Sequence, residues 1–243
     1  MKKFKFLITL SFFLLNIVSI AEAAYGPYLS FDVGGYSRRV EESCSQCVDP
    51  ITLLPVLKIY GNGYSTRLLG KLGMDLQFLD VYLSFGGSSL KVDEFDGFNG
   101  KMSPAVGGGV KIIMYEAPTY EHFKLFINPE FFYFKTSDNI QIYSQSLGYI
   151  IESHDILWTE YGVKIGGSAR YEFLEPYGGV SLSFLNGNES GPVFGSADFK
   201  ESDNLGFFFG ANYYLDPTGR ASLYGEIAGG DNNYLKVGIK TRF

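Results

Sequence analysis

Long apolar runs are scarce in this chain. After residue 20 no stretch approaches the ~18 apolar residues that a membrane-spanning helix needs. No segment keeps a 3.6-residue apolar stripe either, which excludes a helical build. Basic charge is also short: 20 Lys and Arg stand against 26 Asp and Glu, a net of −6. Nucleic acid, whose phosphates require a basic face, is therefore excluded as a partner. Histidine and cysteine number two each. The cysteines form one Cys44-Ser45-Gln46-Cys47 pair with no His or further Cys nearby. A disulfide is the expected pairing in an oxidising compartment, with a metal or redox pair as the alternatives. No cofactor is called for. There are no internal repeats and no linker, so the folded part is one domain.

What is present begins with a targeting signal. Lys2, Lys3 and Lys5 form a basic head, residues 6–20 an apolar core, and Ala21-Glu22-Ala23 a small-residue cleavage site. Residues 1–23 are thus expected to be a signal peptide and residues 24–243 the mature domain. No cysteine sits at the cleavage point, so no lipid anchor is expected. The composition is 46% hydrophobic, with 18 Tyr, 22 Phe and 30 Gly. Aromatic and glycine richness without long apolar runs describes an all-β protein.

Period-two alternation recurs along the whole mature chain. Leu29, Phe31 and Val33 alternate with Ser30 and Asp32; Leu68, Leu72 and Met74 with Arg67, Lys71 and Asp75. The same pattern continues through Val110–Met114, Leu125–Tyr133, Tyr161–Tyr171, Val180–Phe184, Leu205–Tyr213 and Leu223–Ile227 to a last strand, YLKVGIKTRF. This makes about ten strands, with eight or twelve as alternatives, each near the ~9–11 residues a tilted strand needs to cross a bilayer. Short connections near 77–80, 116–120, 173–175 and 216–219 alternate with long ones over 38–60, 87–102, 137–155 and 185–203. Short turns on one rim and long loops on the other describe an antiparallel up-and-down barrel in a membrane. A soluble barrel shares this period with its apolar face inside. Three features favour apolar side chains facing lipid: the secretory signal, aromatics toward the strand ends, and both signs of charge on the polar face.

The last ten residues carry a resemblance. Lys236, Gly238 and the final Phe243 look like the C-terminal sorting signal of bacterial outer-membrane barrels. Thr241 departs from that pattern, where an aromatic is usual. The resemblance to small outer-membrane β-barrel proteins covers the mature chain as architecture and singles out no subfamily. It implies residence in the bacterial outer membrane with both termini periplasmic. It also implies outer-membrane lipids and lipopolysaccharide as surroundings, and the barrel-assembly machinery as a partner during biogenesis. The oligomeric state is left open.

The candidate site is the lumen. Asp32, Arg67, Lys71, Lys111, Glu130, Glu160, Lys164, Arg170, Glu226 and Lys236 share the polar face. Inside a narrow barrel opposite charges should pair. The expectation is an internal salt-bridge plug, with a thin anion-preferring pore as the alternative. Lys236 and Asp32 lie on the two strands that must meet, which makes them the expected closing pair. The long loops look acidic, holding Glu41, Asp93, Asp138, Glu152, Glu189, Asp198 and Glu201 among others. They are expected to form a hydrated rim, with divalent cations bridging them to lipid phosphates. His122 is read as a rim residue and His154, beside Asp155, as a solvated loop residue. Acids with a His at a barrel mouth resemble the omptin proteases, but adjacent residues on a strand point apart. The expected function is therefore non-enzymatic, in envelope structure or surface interaction. A narrow channel is the first alternative and an omptin-like rim hydrolase the second. No catalytic or metal-ligating residues are assigned.

Overall fold

A computed structural model describes residues 25–43, 59–93, 98–117, 123–144, 148–191, 195–230 and 232–243. The expected signal peptide, the Cys44/Cys47 pair and His122 lie outside the described residues.

The described residues form eleven antiparallel strands in one sheet closed on itself. They are β1 (Gly26–Ser43), β2 (Ile59–Asp75), β3 (Leu79–Val92), β4 (Asn99–Glu116), β5 (Lys124–Ser144) and β6 (Gly148–Ser168). Then follow β7 (Leu174–Gly191), β8 (Gly195–Glu201), β9 (Leu205–Tyr214), β10 (Ala221–Gly230) and β11 (Asn232–Arg242). The fold is a transmembrane-type antiparallel up-and-down β-barrel.

Two departures from simple neighbour pairing shape the barrel. β7 pairs with β9 over Leu174 to Leu182 and with β8 over Asn186 to Gly191. β1 pairs with β11 from Tyr28 to Arg38 and with β8 from Val40 to Ser43. At the end where β1 begins and β11 ends, called lower here, ten strands close the ring: β1–β7 and β9–β11. Above the tip of the β10–β11 hairpin, β8 meets β1 directly and eight strands, β1–β8, close a narrower upper ring. β9, β10 and β11 have 10, 10 and 11 residues, enough to cross a bilayer once tilted. β5 and β6 have 21 each, so their hairpin stands roughly 25 Å higher at ~3.3 Å rise per residue and ~40° tilt.

The two tiers have opposite polarity. In the lower tier the outward side chains are apolar: Phe31, Leu72, Leu83, Phe131, Ile165, Leu182, Phe207 and Val237 are 42–65% exposed. In a lipid-facing wall such exposure is favourable. In the upper tier alternation continues, but Val40, Leu90, Val92, Phe134, Ile156, Trp158 and Phe199 now point inward and are at most 2% exposed. Outward there stand Arg39, Lys91, Lys135, Asp198 and Lys200. The interior of an eight-stranded ring is just wide enough for side chains to fill. Burying each of these large apolar groups contributes ~1.5–3 kcal/mol. The upper tier is thus built like a water-facing barrel on top of a lipid-facing one.

This corrects the expectation of long loops over 87–102, 137–155 and 185–203. Most of those residues are strand: β3 reaches Val92, β5 and β6 run to Ser144 and from Gly148, and β7 reaches Gly191. Their polar residues are the outer face of the upper wall. The lower connections are tight. Leu76 N–H donates to Leu79 O at 2.7 Å around Gln77, whose φ of 66° is left-handed.

Candidate functional site

The lumen of the lower tier holds a stack of ion pairs. Nearest the lower mouth, Arg242 donates to Asp75 at 3.0 Å, Lys240 lies 3.3 Å from Asp80, and Lys124 lies 3.3 Å from Glu116. Higher up, Lys71 pairs with Asp32 at 2.7 Å. Glu226 is a hub, 3.0 Å from both Lys164 and Lys236 and hydrogen-bonded by the Tyr234 hydroxyl. Lys164 also reaches Glu130 at 3.1 Å. At the boundary between the tiers Arg67 donates twice to Glu160, at 2.6 and 3.0 Å, and Arg38 lies 3.9 Å from it. The Trp158 indole N–H completes Glu160 at 2.7 Å. These groups alternate along strands whose even or odd positions face inward, which is why residues distant in sequence converge.

Tyrosines tie the pairs to the wall. Tyr28 donates to Asp80 at 2.8 Å, Tyr82 to Glu130 at 3.2 Å, Tyr224 to Asp32 at 2.9 Å. Tyr28, Tyr82, Tyr177 and Tyr224 each stand directly opposite a glycine, Gly73, Gly109, Gly210 and Gly238. A Cβ at any of the four would come within 2.3–2.6 Å of the tyrosine. The missing side chain lets the ring lie flat against the neighbouring strand, so its hydroxyl reaches the lumen carboxylates. The signal for this was in the sequence, as tyrosines at inward positions, but the glycine opposite is a non-local partner.

Above Glu160 the lumen is closed by aromatics. Phe134 and Trp158 have ring centroids 6.0 Å apart, Trp158 and Phe199 5.6 Å, and Phe132 and Phe134 5.6 Å. Below this plug three cavities narrow upward, of about 310, 180 and 90 Å3. Lys111, Asp80 and Lys240 border the first two, and Lys71, Glu130 and Lys236 the second and third. Among the described residues these cavities follow one another from the lower end of the lumen up to the aromatic cluster.

Of the ten residues expected to form the lumen network, the structure brings together Asp32, Arg67, Lys71, Glu130, Glu160, Lys164, Glu226 and Lys236. Lys111 faces the lumen but lies over the Phe126 ring at 4.2 Å, in no ion pair among the described residues. Arg170 sits apart at the lower rim, stacked on Tyr214 at 4.1 Å and donating to the Glu172 carbonyl. The expected Asp32–Lys236 closing pair does not form. The register sets Asp32 opposite Gly238 and Lys236 opposite Gly34, while Glu226 stands directly opposite Lys236 on β10 and takes it. Gly238 lies under the Tyr224 ring, and the Phe243 amide donates to Pro27 O at 3.0 Å with its side chain exposed.

The reading of the upper acids and His154 is corrected too. His154 is buried inside the upper tier, with Nδ1 2.6 Å from Glu189 and Nε2 3.3 Å from Glu152. Glu201 accepts from Leu185 N–H at 2.5 Å, and Asp138 from Asn99 N–H at 2.8 Å. These acids belong to walls, not to a loop rim, because strand pairing turns every second side chain inward. Asp155 points the other way and pairs with Lys135 at 2.7 Å. Among the described residues no cluster of three or more His, Cys, Asp or Glu side chains has the geometry of a metal centre.

No protein-family model and no curated protein sequence matches this chain. Solved structures do. The outer membrane protease OmpT of Escherichia coli superposes with a TM-score of 0.51 at 13% identity, over 90% of this chain and 97% of that one. The translocator domain of autotransporter NalP from Neisseria meningitidis gives 0.44 at 11% identity, over 100% and 97%. At such identities the likeness to OmpT concerns the fold alone. That fold is the bacterial outer-membrane β-barrel.

Proposed function

We propose that this chain is a non-enzymatic outer-membrane barrel that presents its water-facing upper tier as a rigid surface platform. The observation that carries this reading is the change of polarity between the tiers. An upper ring filled by packed apolar side chains is suited to holding a shape above the membrane, and those side chains occupy the lumen there. The termini would then be periplasmic, since the strands outrun the apolar belt only at the opposite end.

The outer wall of the upper tier suits contact with lipopolysaccharide. It carries Arg39, Lys91, Lys101, Lys135 and Lys200, with Lys91 paired to Asp93, Lys135 paired to Asp155, and Asp198 also outward, while Glu152, Glu189 and Glu201 are turned inward. A rim hydrolase would need an accessible His154; its ring is held between two glutamates and shielded from solvent. Planar-bilayer recording tests the platform against a channel. The expected result is no steady conductance from purified barrel. Stable single-channel currents altered by Lys164→Glu would replace this reading with a pore. The wild-type barrel should likewise show no hydrolysis of peptides or lipid A that disappears in His154→Ala.

A further inference from the structure

The lower mouth of the lumen is a cavity of about 310 Å3, room for about ten waters at ~30 Å3 each. Five cations line it against four carboxylates. Three pairs cancel: Lys124 with Glu116, Lys240 with Asp80, and Arg242 with Asp75. The fourth acid, Glu175, accepts from the hydroxyls of Ser168 at 3.0 Å and Tyr214 and from the Asn212 amide at 3.2 Å, and Lys111 is the strongest charge acting on it. That leaves Arg170, committed to the Tyr214 ring and to backbone carbonyls, and Lys111. The Lys111 ammonium rests on Phe126 at 4.2 Å and borders both this cavity and the one above it. It faces Glu175 across the cavity from beyond ion-pair distance, so the lining keeps one cation in excess, shared between Lys111 and Arg170.

A chamber walled by protein, open to water at one end and carrying one cation more than its acids, draws in a counter-anion. The chain as a whole is acidic, with a net charge of −6, so this excess is a local arrangement. The geometry points to an oxyanion site in the lower mouth, with Lys111 as its charged anchor and the ligand a phosphate-sized group. The group could be a free oxyanion or the phosphate of a lipid headgroup reaching the mouth; the chemistry is the same. The site stands whether or not the upper tier is a docking platform.

Titration of the detergent-solubilised barrel with inorganic phosphate in chloride-free buffer, followed by calorimetry, tests this. The expected result is saturable binding at one site, weakened at least tenfold by Lys111→Met and unchanged by Lys101→Met on the outer wall. Glycerol phosphate binding more tightly than phosphate assigns the headgroup source, and equal binding assigns the free ion. In the wild-type protein phosphate should also shield Lys111 from amine acetylation, read by mass spectrometry, which needs no variant to fold. Absent saturable binding, full binding in Lys111→Met, an equal affinity for chloride, or unprotected Lys111 would each overturn the assignment.

Discussion

Replacing Glu160 by Gln tests the junction between the two tiers. The carboxylate accepts two hydrogen bonds from Arg67 and one from Trp158, and Arg38 lies 3.9 Å away. Both arginines and Glu160 are buried. Glutamine keeps the size and one acceptor oxygen but removes the carboxylate charge that both arginines face. Breaking a buried pair from one side costs about 3–5 kcal/mol, because the remaining charge is left without compensation. With a urea slope of about 2 kcal/mol per molar, a loss of about 4 kcal/mol lowers the unfolding midpoint by about 2 M. The assay is built in. Trp158 is the single tryptophan of the chain and donates to Glu160 itself, so its fluorescence in lipid vesicles follows this junction as urea rises. Replacing both partners, Arg67→Met with Glu160→Met, should recover most of the loss, since a well-packed apolar pair has no buried charge to leave stranded. A midpoint shift below about 0.5 M for Glu160→Gln would refute the reasoning, because it would mean that water or other groups solvate the arginines.

The remaining predictions use the same barrel. Phe199→Ala empties part of the upper plug, where the ring is 1% exposed and stacks on Trp158; urea unfolding should show a loss of about 3–5 kcal/mol. Gly187→Val should cost about 1–3 kcal/mol by overpacking, since a Cβ there would stand 1.9 Å from the Phe199 ring opposite it. The double variant with Phe199→Ala should lose less than the sum, because the ring that clashes is gone. At the lower β9–β10 turn the Thr218 hydroxyl, then the Ala221 amide, pull the Asp216 carboxyl down to about 2. A depressed folded value stabilises the turn above the unfolded value of about 3.9 and is lost as pH falls through about 2. Amide exchange at Ala221, corrected for intrinsic pH effects, should therefore stay protected at pH 4 and lose protection near pH 2. Loss already by pH 4 would contradict the turn geometry.

Which face of each lower strand meets lipid was legible in the sequence, because it depends only on the side chain and its parity along the strand. Leu68, Leu72, Val237 and Ile239 could be sorted from Arg67, Lys71, Lys236 and Lys240 with no knowledge of a partner strand. The existence of a charged lumen followed from the same sorting. Which acid takes which base did not, because it depends on register: Lys236 goes to Glu226 rather than Asp32 through an offset of strands far apart in sequence. The upper tier was hidden for a related reason. Inward positions keep their parity along β1 and β6 and turn from polar to apolar higher up, with one register shift between β3 and β4, but whether they can pack as a core depends on how many strands close the ring. That number drops where β8 reaches β1, across more than 150 residues of chain. Local chemistry determined that this chain makes a membrane-type barrel; the long-range pairing of its edges decided that the barrel narrows and fills with apolar side chains at its upper end.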